Sequence, residues 1–237
     1  MLPGEPADDG YRLAGLRMSV KEGWKTYWRD PGEAGIPPYF DWEASENVAA
    51  VEVMWPRPEV FTSFGLRTIG YSGDLVLPLK VHAKDVSLPM TLALNARIGV
   101  CREICVIEEV ELSEEIAPGL RPIGHKQIRR AMRRVPMPAA DAGLRLAECR
   151  ITGTGRDRSL QAEVIFDQDP GSTDIVVEGT ENLWIRQTSI ERSGQSLRVE
   201  AGIRLPKDVS WVDRRSVRMT VLAESFSADI QGCTPVG

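Results

Sequence analysis

Residues 92–112, LALNARIGVCREICVIEEVEL, decide the fold. Two runs of alternating apolar and polar residues flank Arg102, Glu103 and Ile104, the pattern of a β-hairpin with a cysteine at each shoulder of a three-residue loop. Placing Cys101 opposite Cys105 pairs Val100 with Val106, Ala96 with Val110 and Leu94 with Leu112 on one face. The same register sets Arg97 against Glu109 and Asn95 against Glu111 on the other. Only Glu108, opposite Ile98, falls on the wrong side. Directly opposed residues have Cα atoms roughly 4.5 to 5.5 Å apart, so the two thiols can close into a disulfide. Side-chain alternation puts both sulfurs on the polar face, within reach of water or a partner.

Around this hairpin the first half reads as further strands: 11–20, 24–28, 48–55 and 75–83, with 29–38 (RDPGEAGIPP) as a long turn. Pro78 predicts an edge or a bulge for the strand 75–83. The segment 58–73 reads as a loop rich in aromatics and glycine, and MLPGEPADDG as the mature end of a chain. Trp24, Tyr27, Trp28, Tyr39, Phe40 and Trp42 read as packing of a β-sandwich in preference to a ligand-stacking surface.

After Pro118 the composition changes. Four prolines surround a short helical segment, 124–134, whose Arg129, Arg130, Arg133 and Arg134 form one basic face, read as solvated with anionic lipid as the lesser option. Beyond it the strands resume. In 196–205 the residues Leu197, Val199, Ala201, Ile203 and Leu205 alternate with polar ones, and Val217, Met219 and Val221 do the same. The fold class is therefore all-β, two immunoglobulin-like β-sandwich domains joined by a Pro-rich linker with a short helix. The boundaries are 1–118 for the hairpin-bearing domain, 119–140 for the linker and 141–237 for the second sandwich.

A chain of 237 residues can bury two such cores, and a net charge of -5 gives no pull toward nucleic acid. No apolar run of about 18 residues is present, which predicts no membrane span, and no secretory signal is recognisable. Two well-separated cysteine pairs fit an oxidising compartment. Loop entropy separates them: closing Cys101–Cys105 is worth roughly 2 kcal/mol, against more than about 4 kcal/mol for Cys149–Cys233. The first is therefore read as labile or catalytic, and the second as a structural bridge tying the first strand of the second domain to its tail. A Cys-x-x-x-Cys motif by itself is equally compatible with a structural bridge. Metal binding ranks behind disulfide chemistry, since only His82 and His125 could add nitrogen ligands and at no recognisable spacing; no cofactor is expected. Arg97 and Arg102 would lower a nearby thiol pKa, whereas Glu103 and Glu109 would raise it.

The run GWKTYWRDPGEAGIPPYFDW, then WPRPEVF, FGLRTIGYSGDLVLPL and GVCREICV, resembles the N-terminal periplasmic domain of the thiol:disulfide interchange protein DsbD family, in particular its ScsB (suppressor of copper sensitivity) branch. The resemblance implies an immunoglobulin-like fold and protein-disulfide reductase activity in the periplasm. Electrons would come from transmembrane and C-terminal portions of the same full-length polypeptide and pass to thioredoxin-like periplasmic partners. It further implies that Cys105 forms the mixed disulfide and Cys101 resolves it. A cap loop would fall in FTSFG, with Phe64, or second to it Phe61, as the shielding aromatic and Arg102 as a further partner-contacting residue. Two departures stand out: three residues separate the cysteines where DsbD has five, and Ile107 replaces a proline often found after the second cysteine. The competing reading is a copper(I)- or protein-binding module with structural cysteines, and a purely structural interaction domain comes third.

Overall fold

In the computed structural model the alternation of residues 92–112 becomes the longest hairpin of the chain. The structure describes residues 1–6, 10–63, 65–116, 124–179 and 183–236. They divide into two compact units, 1–135 and 136–237.

In the first unit the strands are β1 (Leu2–Pro6), β2 (Tyr11–Ser19), β3 (Lys25–Gly32), β4 (Tyr39–Asp41), β5 (Val48–Val53), β6 (Glu59–Ser63), β7 (Leu66–Ser72), β8 (Asp74–Ala83), β9 (Met90–Cys101) and β10 (Cys105–Ile116). One sheet runs β1-β2-β8-β5; the other runs β10-β9-β3-β7-β6, with β4 also paired to β9. Every predicted rung of the hairpin is present, from Cys101 opposite Cys105 through Leu94 opposite Leu112. Between the sheets lie Trp28, Leu77, Leu79, Val81, Met90 and Leu92, all fully buried. Along β9 burial weakens toward the tip: Leu92 is 0% exposed, Leu94 2%, Ala96 4% and Ile98 8%. The hairpin thus overhangs the opposing sheet.

Several expectations are corrected here. The N-terminal stretch forms a strand, antiparallel to β2 from Leu2 opposite Gly15. The segment 58–73 is the hairpin β6–β7, not a loop. Strand β3 runs on through Arg29 to Gly32 by way of a bulge, where a turn was expected. Pro78 lies in an internal strand, yet its missing N–H is tolerated. In an antiparallel strand a residue's N–H and C=O address the same neighbour. The Pro78 carbonyl accepts from the Met54 amide at 2.8 Å, just past the last β5–β8 rung, Val53 opposite Leu79. The missing donor therefore falls where β5 has ended.

The helix α1 (His125–Met132) is not part of a free linker. It packs on β8, β1 and β2 of the first unit, burying Ile128 completely and Ala131 nearly so. Ile128 Cγ1 sits 3.0 Å from where a β-carbon on Gly15 would stand, so the absence of a side chain there seats the helix. Arg129 and Arg130 in its last turn, and Arg133 and Arg134 just beyond its end, are exposed, so only two of the four arginines expected on one helical face belong to the helix. Residues 119–123 of the expected linker, with 117 and 118 before it, lie outside the described residues.

The second unit comprises β11 (Met137–Pro138), β12 (Leu144–Thr152), β13 (Asp157–Phe166), β14 (Thr173–Glu178), β15 (Trp184–Ser193), β16 (Ser196–Arg204), β17 (Arg218–Ala223), β18 (Ser227–Gln231) and β19 (Thr234–Pro235). Its sheets run β11-β18-β17-β14 and β15-β16-β13-β12-β19. The alternating residues Leu197, Val199, Ala201, Ile203 and Leu205 all enter its core, together with Met219 and Val221 of β17 and Val217 just before that strand. Both units are β-sandwiches, as the periodicity predicts.

Candidate functional site

Strand pairing brings Lys25, Cys101 and Cys105 side by side on one face of the six-stranded sheet. The cysteines are disulfide-bonded, with Cα atoms 4.1 Å apart. Their surroundings differ sharply. Cys105 is exposed, whereas Cys101 is 2% exposed. The expectation that both sulfurs face water therefore holds for only one.

The cover over Cys101 comes from β3 and the turn after it. Tyr27 donates its hydroxyl to Cys101 Sγ at 2.9 Å and lies 3.7 Å from Cys105 Sγ. Burial pushes the Tyr27 pKa above its ordinary value, so the group keeps its proton through the neutral range. Ile36 closes over Gly99, two residues before Cys101. Sequence reading placed Tyr27 in the core and missed it as a neighbour of the dithiol. The signal was present: Gly99 lies in a strand next to the first cysteine, and glycine in a strand marks a close approach.

Exposed apolar residues surround Cys105. Ile104 is 69% exposed and Ile107 58%, while Val106, 36% exposed, turns to the opposite face of the hairpin. Arg102, Glu103 and Glu109 supply a mixed-charge rim on this side, whereas Glu108 falls on the opposite face with Ile98. The Arg102 side chain lies over the turn at Gly23, its Nε 3.6 Å from a β-carbon built there. Arg97 stacks over the Tyr39 ring at 4.9 Å, on the same face as the cysteines but nearer the base of the hairpin. Phe61 reaches this face through Lys25, whose ammonium sits 5.1 Å from the Phe61 ring and bonds to Thr68 Oγ1 at 3.0 Å. Phe64 lies outside the described residues.

In the second unit Cys149 is bonded to Cys233, closing a loop between residues 84 positions apart. Cys149 is buried in β12, and the bond holds β19 parallel against that strand. His82 lies in β8 beside the Tyr11 ring, and His125 opens α1; neither is on the strands that carry the dithiol. Among the described residues, no group of three or more His, Cys, Asp or Glu is placed to hold a metal ion. No helix among them is long and apolar enough to cross a membrane.

A disulfide at the exposed tip of a hairpin on a β-sandwich has the form of a thiol–disulfide exchange site. Residues 1–117 match the family model described as thiol:disulfide interchange protein DsbD, N-terminal, and through this match the first unit belongs to that family. The whole chain is similar in fold to the crystal structure of the N-terminal periplasmic domain of ScsB from Proteus mirabilis, with a TM-score of 0.72 and 22% identity. That similarity covers 98% of this chain and 91% of the other. No curated protein matches the chain by sequence.

Proposed function

We propose that the chain is a periplasmic protein-disulfide reductase module, which carries two electrons from a membrane-embedded portion of a longer polypeptide to thioredoxin-like partners. The observation that carries this reading is the unequal exposure of one disulfide: Cys105 is open within an apolar collar, while Cys101 is covered and bonded by Tyr27. Such asymmetry suits an exchange pair, in which one thiol meets the partner and the other resolves the intermediate.

In the reduced state the Cys105 thiolate attacks one sulfur of a partner disulfide, and the other partner sulfur leaves as a thiolate that takes up a proton. Cys101, deprotonated in turn, attacks Cys105 Sγ in the mixed disulfide. The Cys101–Cys105 bond forms, the intermolecular bond breaks, and the second partner sulfur leaves. The partner gains two electrons and two protons; the domain ends oxidised, in the state seen here. Tyr27 bonds the Cys101 sulfur and stabilises its thiolate before attack, because a donor to a charged acceptor favours the charged form. Ile104 and Ile107 supply the apolar contact for the docked partner, and the mixed charges around them set its orientation.

The test is an equilibrium titration in glutathione buffers, with acid quenching, thiol alkylation and mass spectrometry following both pairs. The Cys101–Cys105 pair should titrate while Cys149–Cys233 stays oxidised. A hairpin pair as resistant as the other would overturn the exchange reading. In the Cys101→Ser variant, Cys105 should accumulate a stable mixed disulfide with an oxidised thioredoxin-fold protein, and Cys105→Ser should abolish transfer. Undiminished transfer by Cys105→Ser would remove Cys105 as the nucleophile.

A further inference from the structure

Three residues from three strands stand in one row on the dithiol face: Lys25 of β3 lies opposite Cys101 of β9, and Cys101 lies opposite Cys105 of β10. Cys101 is both the central member and the buried one. Opposed residues have Cα atoms roughly 4.5 to 5.5 Å apart, and the flexible four-carbon stem of a lysine spans that gap. The Cys101 sulfur is therefore within reach of the Lys25 ammonium. In the oxidised protein that ammonium is held on the β7 side, where it donates to Thr68 Oγ1 at 3.0 Å and lies 5.1 Å from the centre of the Phe61 ring. Half-buried Lys25 thus occupies one position and has a second within its range.

The state of the sulfurs decides which position is favoured. A closed disulfide is neutral and draws no cation. An opened one makes Cys101 a buried thiolate during the resolving step, and a buried charge is costly unless paired. The other charges on this face are engaged elsewhere. Glu59 of β6 accepts from Ser72, the residue opposite Lys25 on β7. Arg97 stacks on Tyr39 and stands opposite Glu109, four residues back from Cys101. Arg102 lies over Gly23, with Glu103 beside it in the turn. Tyr27 donates to the Cys101 sulfur but brings no positive charge.

We infer that Lys25 is a redox-responsive positioning residue for Cys101: its ammonium stays against Phe61 and Thr68 while the disulfide is closed and moves to the Cys101 thiolate once the disulfide opens. The role rests on the exchange reading of the hairpin, since only an exchanging pair needs Cys101 as a thiolate. Two electrons break the sulfur–sulfur bond, two protons from solvent complete both thiols, and Cys101 returns its proton to solvent as the cation arrives. An adjacent positive charge favours the thiolate, so the resolving sulfur is ready at a lower pH. Phe61 and the thiolate compete for one ammonium, so removing the lysine and removing the ring have opposite effects.

The 237-residue chain is reduced with dithiothreitol, which leaves as its cyclic disulfide, and alkylated with iodoacetamide from neutral to strongly alkaline pH. Trypsin cleaves after Arg102 and puts the two cysteines in separate peptides for mass spectrometry. Lys25→Met keeps the apolar stem and should raise the Cys101 midpoint by about one pH unit. Lys25→Arg should restore it, and Phe61→Leu should lower it. In proton NMR, the ring-current shift of the Lys25 ε-methylene, assigned by its loss in oxidised Phe61→Leu, should disappear on reduction above the Cys101 midpoint. A Cys101 midpoint indifferent to Lys25→Met, or raised equally by Lys25→Arg, would overturn the inference. A ring-current shift that survives reduction would do the same, because the ammonium would then be fixed at Phe61. Dithiothreitol opens the bond whatever its poise, so a hairpin that resists glutathione buffers refutes the exchange reading and leaves this measurement intact.

Discussion

Tyr27 Cδ2 stands 3.2 Å from where a β-carbon on Gly99 would be, and Ile36 Cβ only 2.6 Å from the same point. The missing side chain is what lets the Tyr27 ring cross β9 and bring its hydroxyl to Cys101. Gly99→Val should displace both residues, costing about 1–3 kcal/mol of stability through overpacking. In the reduced protein, Cys101 should then alkylate faster relative to Cys105. Urea unfolding together with iodoacetamide rates, resolved by peptide mass, checks both parts.

Removing only the hydroxyl separates chemistry from packing. Tyr27→Phe keeps the ring and deletes the donor to Cys101, and a hydrogen bond to a charged acceptor is worth about 1.5–3 kcal/mol. The resolving step, measured as release from a preformed mixed disulfide, should slow about tenfold or more at neutral pH, with its pH midpoint moved upward. The initial attack by Cys105, whose sulfur is 3.7 Å from the hydroxyl, should change less.

Loop size predicts opposite sensitivities for the two disulfides. Replacing Cys149 and Cys233 with alanine releases a long loop and should lower the unfolding free energy by about 4 to 5 kcal/mol, most of it in the second sandwich. Replacing Cys101 and Cys105 with serine should cost about 2 kcal/mol or less. Paired denaturation curves of the two variants give the comparison directly.

Alkaline instability should centre on Tyr71. Burial raises its pKa well above the usual value, even with Arg29 and Arg134 acting in the other direction, and its hydroxyl donates to the Pro56 carbonyl at 2.7 Å. The unfolded chain ionises tyrosine near about pH 10 while the folded chain holds its proton, so the unfolded state binds fewer protons there. Stability is therefore full below about pH 10 and falls as pH rises past it. Tyr71→Phe should flatten that fall while costing about 1–2 kcal/mol at neutral pH from the lost hydrogen bond. Urea unfolding from neutral to strongly alkaline pH measures both.

The hairpin register was legible because period-two alternation on both sides of Arg102–Ile104 admits one pairing that sorts apolar from charged residues. The second core was legible for the same reason, since Leu197 to Leu205 alternate without a break. What sequence could not supply was depth. Cys101 is buried because β3 lands beside β9 and brings Tyr27, with Ile36 from the turn after the strand, across Gly99, a long-range contact with no local periodicity. Pro78 was misplaced for a related reason: whether its missing N–H matters depends on where β5 stops. The helix was found, but its attachment rests on Ile128 meeting Gly15, more than a hundred positions away in the chain.

The location of the dithiol at the end of an overhanging hairpin has a consequence for how the domain can diversify. By thermodynamic linkage, whatever a disulfide adds to folding stability returns as resistance to reduction. A bond closing so short a loop adds little, so its ease of reduction is nearly decoupled from the strength of the sandwich beneath it. Mutations that strengthen or weaken the core can accumulate without retuning electron transfer, and the few residues touching the sulfurs can change that tuning without endangering the fold.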